Sequence, residues 1–204
     1  MSNDPNSSLG LYRPWQAIGI FISAAVVITT IEFVQFSAAD LELHTARKYH
    51  YLDSIVVLGL VSVFIGFNKP RLYRMSRWGV KWQDVIWGIG SGISVRLLQQ
   101  LIFRLQGESY PAAERNVLAI VCVVVLGPIL EELLCRGVLL RSLLANFQPI
   151  VGILLTTCIV AAFHAEFLWA FPGQLILSVL YVASNKSLPS TMICHVTMNA
   201  LTYV

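Results

Sequence analysis

The sequence predicts an all-α protein, a polytopic transmembrane bundle of about seven helices. Of its 204 residues, 56% are hydrophobic and only 12% are charged, whereas soluble domains carry roughly 25% charged residues. The mean hydropathy of +0.70 is typical of chains that cross a membrane several times. The net charge of +3 is small, which indicates charged loops that set the orientation rather than a surface that binds nucleic acid.

The chain divides into a polar tail, residues 1–14, and a single transmembrane domain, residues 15–204. No linker of useful length separates the apolar segments, so no additional soluble domain is expected. The tail is not basic, and the apolar run that follows it is too long for a cleaved signal peptide. We therefore expect the first segment to remain in the membrane as an anchor.

Apolar runs bounded by polar residues give the order of the helices. They are predicted at 15–38, 51–67, 85–103, 116–145, 149–170, 172–184 and 190–204. The third helix is rich in small residues, including Gly88, Gly90 and Gly92, which allow a neighbouring helix to approach closely.

The loop at 68–84 is strongly basic and predicts the orientation of the chain. Its positive charges are Lys69, Arg71, Arg74, Arg77 and Lys81. Because positive loops stay in the cytoplasm, this loop and the amino terminus, two spans before it, are expected there, in a multi-pass protein of the cell membrane. Trp78 and Trp82, four residues apart, predict an interfacial helix within the loop.

Ionisable residues interrupt the apolar fourth helix, which reads LGPILEELLCRGVLLR at 126–141. Glu131, Glu132 and Arg136 would each cost several kcal/mol at membrane depth unless paired or facing a polar cavity, so such residues usually mark function. Pro128 lies one turn earlier and cannot donate a backbone hydrogen bond. It could therefore leave carbonyl groups open and bend the helix at this point.

Three further polar residues, His164, His195 and Asn199, lie in later apolar segments. Residues equidistant from the turn of an antiparallel hairpin share one depth. With turns near 147–148, 171–172 and 187, Glu131, His164 and His195 fall on one plane. The positions therefore predict that these groups meet inside the bundle.

Spacing along the helices supports the same site. Glu132 and Arg136 are four residues apart and can pair on one helix face. His195 and Asn199 are also four apart and present their side chains to one face. Glu131 is rotated by about 100° from Glu132, so it can point elsewhere.

This set of residues could activate a water molecule for hydrolysis. A carboxylate in a low-dielectric pocket is a plausible general base. Arg136 could neutralise Glu132 and leave Glu131 as that base, while His164 holds the same water. His195 and Asn199 could donate hydrogen bonds to a developing oxyanion.

Covalent and zinc-dependent mechanisms have little support in the sequence. It contains neither a GxSxG nucleophile elbow nor an HExxH zinc motif. The four cysteines lie in apolar segments without CxxC spacing, so neither a disulfide framework nor a zinc cluster is expected. No cofactor and no metal ion are predicted.

The three motifs together resemble the CPBP family, which includes type II CAAX prenyl endopeptidases and bacteriocin-processing or immunity proteins. The similarity covers about residues 115–204. In order, the motifs are Glu131-Glu132-x-x-x-Arg136, then His164, then His195-x-x-x-Asn199.

The resemblance implies a glutamate-dependent intramembrane endopeptidase in which Glu131 activates water with help from His164. It further implies an oxyanion site at His195 and Asn199, and a pocket shaped by the Glu132–Arg136 pair. One position departs from the family. Where a phenylalanine usually stands four residues before the histidine, this chain has Val160, and its own phenylalanine, Phe163, is adjacent to His164.

The expected partners are the lipid bilayer and a membrane-anchored protein or peptide, cut near its carboxy terminus as a CAAX-like protein, a sorting tag or a peptide precursor. No nucleic acid is expected, and the sequence carries no signal for an oligomeric state.

Two other functions stay open. One is a metal-dependent membrane hydrolase with the glutamates and two histidines as ligands, which a chelator would inhibit. The other is a non-enzymatic immunity or scaffold protein, which would tolerate Glu131→Ala.

Overall fold

The computed structural model describes residues 11–38, 50–69, 76–106, 117–164 and 167–203. Regular structure in these residues is helical, apart from one isolated bridge between Arg77 and Ser187. The helices are α1 (Pro14–Ala38), α2 (His50–Asn68), α3 (Trp82–Gln106), α4 (117–144), α5 (Pro149–Ala162), α6 (Phe167–Ala183) and α7 (Leu188–Ala200). The predicted all-α fold is thus confirmed for the described part of the chain.

The exterior of the bundle is apolar. Large apolar side chains are exposed on α1, α2, α3 and α5, among them Val26, Leu60, Ile89, Leu97 and Leu154. Within the described ranges, α3 alone has both the length and the apolar character to cross a membrane; α5 and α6 are apolar but shorter.

The fourth helix, α4, lies at the centre of the bundle. On one side, its buried Leu139 and Leu143 pack in a cluster with Ala17 of α1 and Ile65 of α2. On the other side, Leu140 packs with side chains of α6 and α7. Polar groups that α4 turns inward are therefore enclosed by helices from both halves of the chain.

Two π-helical stretches, Val121–Leu126 and Cys135–Leu140, interrupt α4 on either side of the α-helical segment Gly127–Leu134. At the first stretch, the Gly127 N–H donates to the Cys122 carbonyl, five residues earlier. The next donor in this register would be Pro128, which has no N–H. The Val123 carbonyl therefore has no donor within α4 in this register and can accept a hydrogen bond from another helix. An open carbonyl of this kind was predicted from Pro128.

The boundary between the fifth and sixth helices differs from the prediction. The predicted turn at 171–172 is wrong, because α5 ends at Ala162, α6 begins at Phe167, and Pro172 lies inside α6. A proline at this position removes only one hydrogen bond near the start of the helix, a loss that helices in an apolar bundle tolerate. As a consequence, His164 lies in the connection between the helices rather than within the fifth helix.

The predicted interfacial helix in the basic loop is wrong for residues 76–81, which are not helical. They run instead against the turn between α6 and α7. Residues 70–75, with Arg71 and Arg74, lie outside the described ranges. Trp78 and Trp82 are exposed near the start of α3, as an interfacial position requires.

The close approach predicted for the glycines of the third helix is confirmed at two of them. A Cβ atom added to Gly88 would lie 2.7 Å from Ile193 Cγ2, and one added to Gly92 would lie 2.7 Å from the Cys194 carbonyl oxygen. Gly90 faces open space. α3 and α7 therefore pack nearly backbone to backbone along the Gly88–Gly92 face.

Candidate active site

A fully buried ion pair on α4 forms the base of the site. Arg136 Nη1 donates to Glu132 Oε1 at 2.8 Å, and both side chains are 0% exposed. Arg136 Nη2 donates to the Gln174 carbonyl oxygen at 3.0 Å and to Gln174 Oε1 at 2.7 Å. These bonds offset part of the cost of removing the two charges from water.

Gln174 of α6 was not predicted from the sequence to be a site residue. The only signal was a long polar side chain in an apolar segment, two residues after Pro172. Such a residue in a bundle interior needs a partner, and here that partner is Arg136.

His195 of α7 is bound to the same carboxylate. Its Nδ1 lies 3.0 Å from Glu132 Oε1, and the side chain is buried. Because a carboxylate already paired with Arg136 accepts hydrogen bonds, Nδ1 carries the proton in this contact. The other ring nitrogen, Nε2, faces Glu131 Oε2 at 3.9 Å, which is beyond hydrogen-bonding distance.

Glu131 is the accessible member of the pair of glutamates. Its side chain is 32% exposed, whereas that of Glu132 is fully buried. A Cβ atom added to Gly127 would lie 4.0 Å from Glu131 Oε1 and 3.6 Å from Ile55 Cδ1. Glu131 therefore lies partly exposed beside the boundary between α4 and α2.

Asn199 fastens α7 to α4 one turn beyond His195. Its Nδ2 donates to the Val123 carbonyl oxygen at 2.9 Å, the same carbonyl that Pro128 leaves without a helical donor. The amide group has a second N–H. His195 and Asn199 both contact α4, so they share one face of α7 as their spacing predicts.

His164 makes none of these contacts. It follows the end of α5, its imidazole is exposed, and Nδ1 donates to the Val160 carbonyl oxygen at 2.9 Å. No hydrogen bond or ion pair among the described residues joins it to Glu131 or His195. The structure thus connects Glu131, Glu132, Arg136, His195 and Asn199 through α4, and shows no hydrogen bond from His164 to any of them.

In the part of the chain that the structure describes, no group of three or more His, Cys, Asp or Glu side chains is arranged to hold a metal ion. The chemistry that the geometry offers is that of an accessible carboxylate facing an oriented imidazole, with a buried ion pair behind them.

Comparison with known proteins concerns the same part of the chain. Residues 113–201 match the family model described as type II CAAX prenyl endopeptidase, Rce1-like. The match includes all six residues singled out from the sequence. No curated protein and no solved structure matches the chain.

Proposed function

We propose that this chain, a member of the CAAX protease (CPBP) family through its residues 113–201, is an intramembrane endopeptidase that uses Glu131 to activate water. The family implies a membrane protease acting on membrane-associated proteins. The observation that carries the glutamate mechanism is the 3.9 Å gap between Glu131 Oε2 and His195 Nε2. A single water molecule can lie within hydrogen-bonding distance of both atoms.

The exposed apolar surface supports a polytopic arrangement in the membrane. Outward-facing apolar side chains occur on at least four of the helices, while Glu132 and Arg136 are enclosed. Lipid-facing helices that surround a polar interior have this distribution. α5 and α6, although short, would then cross the membrane together with their neighbours.

In the proposed reaction, Glu131 removes a proton from the water as its oxygen bonds to the scissile carbonyl carbon. The tetrahedral intermediate then collapses, the carbon–nitrogen bond breaks, and Glu131 passes the proton to the leaving amine. The new carboxy terminus and the new amine are the two products. The Glu132–Arg136 pair is proposed to take no part in proton transfer, because both side chains are fully buried and Glu132 Oε1 is already bonded to Arg136 and His195.

His195 and Asn199 are the proposed oxyanion donors. With its Nδ1 proton directed at Glu132, His195 can donate from Nε2 only when the ring is doubly protonated. Asn199 would use the N–H that is not bonded to Val123. Donors of this kind, held before the charge develops, make a large contribution in acyl transfer. His164, exposed just after the end of α5, is proposed to contact the bound water or substrate once the substrate is present.

The substrate is proposed to be a membrane-anchored protein or peptide, cut near its carboxy terminus as a CAAX-like protein, a sorting tag or a peptide precursor. Glu131 is accessible beside α2, at the apolar surface. This position suits an extended segment that enters from the bilayer.

The test compares carboxy-terminal peptides from membranes of cells that produce the wild-type chain or Glu131→Gln. This substitution keeps the size of the side chain but removes the base. Arg104→Gln, which neutralises an exposed charge near the end of α3, is the matched control. We expect a set of carboxy termini to be present with the wild-type and control chains and lost with Glu131→Gln.

Identical profiles in cells that contain equal amounts of folded protein would overturn the protease and favour a scaffold. Loss of the same termini after treatment with a chelator would instead favour a metal-dependent hydrolase.

A further inference from the structure

A second buried carboxylate, Asp84 in the first turn of α3, takes no part in the proposed reaction. It is 1% exposed and accepts five hydrogen bonds. The donors are Arg77 Nη1 and Nη2, Lys81 N, Ser187 Oγ and Ser190 Oγ. A carboxylate with this many donors is held in one position, because any displacement breaks several charge-assisted bonds together.

Two of the donors belong to the start of α7, the helix that carries His195. Ser187 is the residue that caps this helix: its Oγ accepts from the Ser190 N–H at 3.3 Å and donates to Asp84 at 2.9 Å. Ser190 Oγ donates to the same oxygen at 2.6 Å. The negative charge also lies where the partial positive charge of the helix amino terminus stabilises it.

Arg77, another of the donors, also joins the loop before α3 to the turn before α7. Arg77 pairs through its main chain with Lys186 and Leu188, at 3.2 and 3.3 Å, and its Nη2 donates to the Ser184 carbonyl oxygen. The hydrogen bond to Asp84 raises the pKa of Arg77, so the guanidinium stays charged. Asn185 and Lys186 both adopt positive φ, 57° and 59°, a costly conformation that these contacts help to hold.

Close packing continues from Asp84 to the residue before His195. Gly88 lies against Ser190 and Ile193, and Gly92 lies against Cys194 and Thr197. Asp84 therefore fixes the start of α7, and the glycine face fixes its middle. α7 cannot slide along α3 or turn about its own axis without breaking the Asp84 bonds.

We infer that Asp84 is a positioning residue, which sets the height and rotation of α7 and thereby the separation of His195 Nε2 from Glu131 Oε2. This inference rests on the proposed function. Asp84 itself does not touch the reacting groups; it acts through Ser187, Ser190 and the helix that follows them.

The first experiment measures cleavage of a substrate identified by the carboxy-terminal comparison. Asp84→Asn keeps the size of the side chain but replaces one acceptor oxygen with an NH2 group, which cannot accept the hydrogen bonds that Arg77 and the serine hydroxyls donate to Asp84. Because misplacement of a catalytic group by about 1 Å can cost about 100-fold, we expect kcat to fall by about 10- to 100-fold with KM within about threefold. Lys81→Gln, which changes an exposed side chain in the same loop, should leave both constants unchanged.

A double-mutant comparison separates positioning from general packing. If Asp84 acts through His195, Asp84→Asn should change the residual kcat of His195→Ala by less than about threefold. The inference would be overturned if Asp84→Asn lowered kcat by the same factor in the His195→Ala chain as in the wild-type chain. A wild-type kcat in folded Asp84→Asn would also overturn it. Glu131→Gln reports separately on the proposed function, because an active Glu131→Gln would refute the mechanism whatever Asp84→Asn does.

Cysteine labelling gives a readout that needs no substrate. Cys194 is fully buried beside Gly92, whereas Cys158 is exposed. In Asp84→Asn we expect Cys194 to react with a thiol reagent faster, relative to Cys158, than in the wild-type chain. Parallel exposure of Cys122 and Cys135, on α4, would indicate global unfolding, and unchanged protection of Cys194 would contradict a shift of α7.

Discussion

Glu131 and Glu132 are neighbours in the sequence, but their side chains have different environments. Glu132 is enclosed with Arg136 and oriented towards His195, whereas Glu131 is one-third exposed. The rotation of about 100° between adjacent residues of a helix is enough to place one carboxylate in the core and the other at the site. Two identical side chains can thus serve as a structural anion and as a candidate base.

Removal of the arginine should destabilise the protein far more than removal of its second partner. We expect Arg136→Met to lower the free energy of unfolding by about 3–5 kcal/mol, because it leaves the Glu132 charge buried without its cation. Gln174→Leu removes one acceptor and should cost about 1–3 kcal/mol. Denaturant unfolding in detergent measures both.

The matched control for this prediction is Arg104→Met on the exposed surface of α3, which should change stability by no more than about 0.5 kcal/mol. An Arg136→Met protein as stable as that control would show that the pair contributes nothing to the fold.

At the residue scale, contacts within one helix could be predicted from the sequence, because the helical spacing determines them. The Glu132–Arg136 pair follows from an interval of four residues, and the structure confirms it. Gln174 and Asp84 could not be assigned partners, because their partners are 38 and up to 106 residues distant. Such contacts depend on how helices pack, which the spacing within one helix does not specify.

The helices that form the site are joined by unusually close contacts. α7 packs on α3 through Gly88 and Gly92, and Asn199 binds the carbonyl that the π-helical stretch and Pro128 leave open in α4. π-helical turns frequently occur at functional sites because they redirect backbone groups in this way. The position of α7 is therefore set by backbone contacts on two of its sides.

A methyl group on the packed face of α3 should displace α7, whereas one on its open face should not. Gly92→Ala would place a Cβ atom 2.7 Å from the Cys194 carbonyl oxygen, which is backbone and cannot turn aside. We expect cleavage to fall at least 10-fold, because His195 follows Cys194 directly. Gly90→Ala, with open space around it, should retain wild-type cleavage and stability. Equal activity of the two variants would contradict a fixed α7.

At this scale, the sequence predicted the number and order of the helices better than their ends. The small residues of α3 correctly indicated a close contact, since only a residue without a side chain permits it. The turn assigned to Phe171–Pro172 was wrong, because a proline ends a helix only where its missing hydrogen bond cannot be tolerated. That error placed His164 within a helix, whereas it follows the end of α5.

One end of the molecule gathers most of its described positive charge. Lys69 lies over the Tyr12 ring at 5.5 Å, Arg141 Nη1 donates to Ser76 Oγ at 3.0 Å, and Arg77 binds the turn between α6 and α7. These contacts bring the start of α1, the end of α4 and the loop at 76–81 to the same end of the bundle. By the positive-inside rule, we expect this end to face the cytoplasm.

The orientation can be tested with single cysteines and a membrane-impermeant thiol reagent. Lys81→Cys and Gln148→Cys, both exposed at the charged end, should be labelled in inside-out vesicles but not in intact cells. Gln106→Cys, at the opposite end of α3, should show the reverse. A Cys158→Ser background removes the exposed native thiol. Labelling of positions 81 and 148 from opposite sides would exclude the arrangement.

The bond between Asp84 and Ser187 also has a consequence for biosynthesis. Its partners are 103 residues apart, and at about 5–20 residues per second a ribosome needs about 5–20 s to make the chain between them. During that interval, neither serine is available to Asp84. Only the arrival of α7 completes the shell around this carboxylate. A chain whose synthesis stops before α7 would lack both serine donors, so two of the five hydrogen bonds to Asp84 could not form.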